Sequence, residues 1–129
     1  MTTKITLLLA AINGFVAVCL GAFGAHGLRN KLSESLMSAY TTAVQYHFYH
    51  TFALLAVAIL IQQFGSKSAL QISAVAFVVG IVLFCGSLYG LALGAPNWLG
   101  PITPLGGLAF IAGWLTLIWF AVQLASQPG

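Results

Sequence analysis

Acid is almost missing from this sequence. Among 129 residues there is no aspartate, Glu34 is the single glutamate, and charged residues of both signs come to 4%. An ordinary soluble domain carries about 25% charged residues. Lys4, Arg29, Lys31, Glu34 and Lys67 cannot cover a water-facing surface, so the chain does not read as a soluble protein. The same scarcity removes whole chemistries. Without a second carboxylate there is no acid–base pair, and Ser87 has no acid to complete a triad. No phosphate loop or dinucleotide fingerprint is present either, so the chain reads as not an enzyme. The net charge of +3 comes from scattered cations that form no patch. They point to anionic lipid headgroups and not to nucleic acid. The two cysteines, Cys19 and Cys85, lie in apolar runs and make no CxxC pair, which excludes the zinc-finger and thioredoxin signatures.

What is abundant is apolar: 60% of the residues are hydrophobic. About 20 apolar residues cross a hydrocarbon core of roughly 30 Å, and four runs reach that length, at about 5–24, 43–61, 70–93 and 105–124. Backbone amides in lipid need partners within their own segment, and no alternating pattern supports a barrel, so these spans are expected to be helices. The sequence predicts an all-α, four-helix integral membrane bundle, one domain over 1–129. The first run, with Lys4 before it and small residues after it, imitates a signal peptide, but its length favours a retained helix.

The connections differ in kind. Residues 26–40 hold candidate caps at Asn30 and Ser33, with Leu32, Leu36 and Tyr40 along one side. A helix there either lies on the membrane surface or runs straight into the second span. Residues 62–68 read as a short polar turn. Residues 94–107 hold three of the four prolines and are expected to form an ordered, non-helical loop, with Trp98 at the interface. Lys4 and Lys67 fall on one side of the membrane, Arg29 and Lys31 on the other. The positive-residue count is therefore tied, and Lys4 ahead of the first span favours cytoplasmic termini.

Small residues line three spans: Gly14, Ala17, Gly21 and Ala25; Gly86, Gly90 and Gly94; Gly106, Ala109 and Gly113. Such faces let helices approach closely, either within the bundle or against a second copy or another membrane protein.

Polar residues inside the spans are costly and usually mark something. His47 and His50 sit about 300° apart round a helix, effectively on one face, with Tyr40 and Thr51 extending it. By depth, His26, Cys19, Cys85, Ser87 and Tyr89 fall in the same half of the bilayer, whereas Asn13, Gln62 and Gln63 fall in the other. Three readings follow. The groups hydrogen-bond one another and fasten the bundle. Alternatively His26, His47 and His50 hold a transition metal such as copper or zinc. Or a quinone or lipid headgroup occupies a pocket lined by His47, His50, Tyr40 and Tyr46. The candidate ligand-binding set is His26, Tyr40, Tyr46, His47, His50, Ser87 and Tyr89. A channel or transporter would show a continuous polar stripe or broken helices, and the uninterrupted ALLAVAILI segment (53–61) argues against one. A small transporter, which would need flux in liposomes, therefore ranks third among the functions.

Four segments carry a resemblance: GAFGAHGL (21–28), YHFYHTFAL (46–54), LFCGSLYGLAL (83–93) and ITPLGGLAFIAGW (102–114). In order, and over nearly the whole chain, they resemble the domain of unknown function 423 family, small bacterial membrane proteins similar to the animal transmembrane protein 256-like group. The resemblance implies a four-span inner-membrane protein of about this length and no defined activity. The family's characteristic positions correspond here to Gly24, His26, Gly27, His47, His50, Gly86, Ser87, Tyr89, Thr103, Pro104, Gly106 and Gly107. With no catalytic constellation and several glycine-lined faces, the expected role is an accessory or assembly subunit of a membrane complex. The expected partners are lipids and either another integral membrane protein or a second copy.

Overall fold

A computed structural model describes residues 1–126. Four apolar helical stretches long enough to cross a membrane run over Thr3–His26, Glu34–Phe64, Ser68–Ala92 and Asn97–Ala125. The first is α1 (Thr3–His26), opened by Thr2, whose hydroxyl accepts from the Ile5 amide at 3.2 Å. The chain leaves α1 at Gly27 and turns through Asn30, held at φ 62°, a left-handed conformation that asparagine tolerates.

Helix α2 (Glu34–Phe64) is one continuous helix of 31 residues. Of the two expected caps, Ser33 is the one used: its hydroxyl accepts from the Leu36 amide at 3.2 Å, and Glu34 sits at the positive end of the helix dipole. Residues 34–42, the helical part of the segment between the first two apolar runs, are therefore not a separate surface helix but the first turns of the second span, and residues 27–33 form the turn that precedes them. That span stops at Gly65, whose φ of 85° favours glycine.

The third span is not uniform. It begins as α3 (Ser68–Gly80), passes through a π-helical turn over Ile81–Cys85, and resumes as α4 (Gly86–Ala92). A π turn inserts one residue into the helical register. Here it coincides with a close helix–helix approach: a Cβ at Gly106 would strike the backbone of Phe84 itself. The loop then makes a single 3-10 turn over Asn97–Leu99, with Trp98 66% exposed. Helix α5 (Ile102–Ala125) starts earlier than the proline-rich sequence implied. Pro104 lies in its first turn, where a missing amide costs nothing because that amide has no intrahelical partner.

Helix α2 is the hub. On one side it carries α1, whose small face fits it closely: Gly14 lies against Thr51, Gly21 against Val44, and Gly24 under the Tyr40 ring. On another it meets α3 and α4. Helix α5 packs chiefly on α3, with Gly113 against Phe77 and Gly80 against Phe110. It reaches α2 through aromatic side chains. The apolar core therefore runs along α2, α3 and α5, through Leu54, Val57, Leu70, Phe77 and Phe110.

Candidate functional site

The polar side chains of the spans meet inside this core. His47 is 3% exposed and His50 4%. Asn13 commits its amide N–H to the Leu9 carbonyl at 2.8 Å, which turns its Oδ1 towards His47 Nε2 at 2.9 Å. Nε2 therefore carries the proton and donates. His47 Nδ1, 3.0 Å from the Tyr89 hydroxyl, accepts. One imidazole thus links α1, α2 and α4.

His50 takes the other tautomer. Its Nδ1 donates to the Tyr46 carbonyl at 2.8 Å, and its Nε2 accepts from the Trp114 indole N–H at 3.0 Å. The ring lies flat on Phe110, with centroids 3.5 Å apart and planes 9° apart. A neutral histidine has one donor and one acceptor, and both rings have used both. Protonating His50 would set its Nε2–H against the Trp114 N–H.

Asn13 stands near the middle of the 24-residue α1, and Trp114 near the middle of the 24-residue α5. Their partners His47 and His50 therefore lie near mid-depth, not in the outer turns of one leaflet. The expectation of an outer level started the second span at Ala43. Because α2 begins at Glu34, both rings stand deeper along it. Asn13, assigned by depth to the opposite half, is a direct partner of His47.

The other expected residues divide. Tyr40 is 1% exposed, its hydroxyl donates to the Leu20 carbonyl, and its ring meets Tyr89 edge-on at 5.3 Å. Tyr46 is exposed, its ring tilted 37° against that of Phe84 with centroids 4.8 Å apart. Ser87 forms a separate clasp: it donates to the Phe84 carbonyl at 3.0 Å and receives the Thr103 hydroxyl. That carbonyl lies in the π turn, and the clasp fixes the turn to the start of α5. His26 is exposed at the last residue of α1 and joins neither imidazole.

The metal set His26, His47 and His50 is thus not assembled. Among the described residues no three His, Cys, Asp or Glu side chains are grouped to hold an ion. The physical reason is that the acceptor nitrogen of each buried ring is engaged, by Tyr89 and by Trp114. Cys85 is buried and Cys19 exposed. Thr51 Oγ1 is the buried side-chain polar atom without a partner among the described residues. Two surface grooves of about 720 and 580 Å³ lie elsewhere, at the Lys4 and Lys67 end of the molecule.

Sequence reasoning missed Trp114 and Phe110 as partners. Trp114 did carry a signal: a tryptophan well inside an apolar span lies away from the interface it usually occupies. The flat Phe110 contact left no mark in the sequence.

The family described as "Protein of unknown function (DUF423)" matches residues 20–107. The chain is 43% identical over 120 residues to the UPF0382 membrane protein YwdK of Bacillus subtilis, covering 93% of this chain and 98% of that protein. It is 42% identical over 113 residues to a UPF0382 membrane protein of Haemophilus influenzae, covering 88% and 90%. It is 40% identical over 124 residues to the UPF0382 inner membrane protein YgdD of Escherichia coli, covering 96% and 94%. No solved structure matches.

Proposed function

We propose that this chain, which belongs to the DUF423 family, acts without catalysis and by association, as an accessory or assembly subunit of a complex in the inner membrane. The observation that carries this reading is the saturation of the two buried imidazoles. Each ring nitrogen of His47 and His50 is bound by a group of the same chain. A cluster so satisfied holds helices together and offers no lone pair to a ligand. What remains for encounters is the outer surface. Helices α1 and α5 are broad and apolar outside, with Phe15 71% and Leu108 61% exposed. A rigid bundle presenting such faces suits a role played through contact.

Purification from native expression in mild detergent, followed by mass analysis, tests this. A stoichiometric membrane protein or a second copy is expected, and a clean monomer overturns the reading. The competing reading, a metal, quinone or lipid bound through the histidines, is tested by elemental analysis and lipid extraction. Wild type and the His47→Ala/His50→Ala variant are expected to carry equal contents. A species lost only from the variant would replace association with binding.

A further inference from the structure

Helix α2 has a face that no other helix covers. Gln45, Tyr49, Phe52, Ala56 and Ile59 are all exposed, Tyr49 by 56%, Phe52 by 62% and Ile59 by 57%. Their spacing of four, three, four and three is the seam pattern of two helices lying side by side. Two of the five are polar, and their depth matters. Tyr49 adjoins His50, which lies near mid-depth. Gln45 is one turn away, about 6 Å along the axis. Both sit well inside a hydrocarbon half-layer of roughly 15 Å. The hydrogen bonds at this level run inward, from Asn13, His47, His50 and Trp114. The Gln45 amide and Tyr49 hydroxyl face the other way. A primary amide left towards lipid is costly, because acyl chains offer it nothing.

We infer that a second copy of this chain seats on this stripe, α2 against α2, around a two-fold axis along the membrane normal. Two copies inserted in the same sense are related by such an axis, which brings identical residues together at equal depth. Gln45 then faces Gln45 of the second copy. An amide is donor and acceptor at once, so that pair is self-complementary, and the Tyr49 hydroxyls have the same property. Ala56, between Phe52 and Ile59, leaves room for the helices to approach. The glycine faces of α1 and α5 do not compete for this role, since Gly14, Gly21, Gly24, Gly106 and Gly113 are occupied by the chain's own side chains and backbone. This inference rests on the association reading and names one partner for it.

The experiment uses the full chain with Cys19→Ser and Cys85→Ser, and one new cysteine at Phe52, Ala56 or, on the outer face of α5, Leu115. Oxidation in native membranes is expected to yield a covalent homodimer from positions 52 and 56 and none from 115. In proteoliposomes carrying donor- and acceptor-labelled protein, Gln45→Leu is expected to weaken self-association roughly three- to tenfold, and Gln45→Asn to retain most of it. Thermal unfolding of each variant reports that the fold is intact. Equal crosslinking from Leu115, or association unchanged by Gln45→Leu, overturns the inference. A crosslink from 52 or 56 to a different protein overturns self-association and leaves the association reading standing. Absence of any partner, same or different, overturns both.

Discussion

At the scale of residues, two histidines in one helix solve the same problem in opposite ways. His47 donates from Nε2 and accepts at Nδ1; His50 donates from Nδ1 and accepts at Nε2. Each is thereby neutral and complete in a medium that supplies no water. Removing a partner leaves an orphan. Asn13→Leu is expected to cost about 1–2 kcal/mol, the range for an interhelical hydrogen bond and its unpaired remainder. The Asn13→Leu/His47→Leu pair is expected to cost less than the sum of the single changes, because the second change removes the group the first one stranded. Unfolding in detergent or bicelles measures both. A strictly additive pair would mean that Asn13 and His47 do not interact. The histidines themselves were legible, since titratable rings in an apolar run demand partners. The identity of those partners was not: Asn13 and Trp114 are far from them in the chain.

At the scale of elements, the third span is the informative one. The sequence there reads as one unbroken apolar helix, yet a π turn at Ile81–Cys85 divides it. The extra residue sets the register of α4, and so the direction of Ser87 and Tyr89. Deleting Val82, which is 64% exposed, would return the span to α-helix and rotate everything beyond it by about 100°. The Tyr89–His47 and Ser87–Thr103 contacts are then lost. The expected result is a large fall in thermal stability, whereas Val82→Ala changes little. Glycines separate in the same manner. Gly106→Ala would drive a methyl into the Phe84 backbone and is expected to cost about 1–3 kcal/mol. Gly86, with open space around it, is expected to accept alanine with no loss and a gain of up to about 1 kcal/mol. Melting of the two variants side by side checks this. Sequence placed both glycines in the same kind of small-residue face and could not rank them, because a close approach depends on the opposing helix.

At the scale of the whole molecule, four spans put Lys4 and Lys67 at one end and Arg29 and Lys31 at the other. In the Cys19→Ser/Cys85→Ser background, Ser66→Cys and Lys31→Cys are expected to react with an impermeant maleimide from opposite sides of the membrane. The cytoplasmic-termini expectation assigns Ser66 to the cytoplasmic side. Labelling of both positions from one side would contradict the four-span topology. Interior and exterior also divide the work at this scale. Inside, both imidazoles are paired within the chain. Outside, α2 carries Gln45 and Tyr49 into lipid, and that exception directs attention from the histidines to the surface.

Composition alone determined that this protein lives in a membrane, because five charged residues cannot hydrate a surface. The lengths of its apolar runs determined four helices, because lipid offers a backbone no other partner. The Ser33 cap and the burial of the His47–His50 face followed from local periodicity. Tertiary structure decided the rest. It joined the segment before Ala43 to the second span and so moved both histidines to mid-depth. It gave each ring its own partners and left His26 apart. It spent the glycine faces of α1 and α5 on internal packing and left α2 with an uncovered stripe that carries Gln45 and Tyr49. These depend on which helix stands opposite which, and at what rotation. Neighbouring residues in one chain carry no record of that, because the groups that meet are separated by tens of residues and by the register shift of a single π turn.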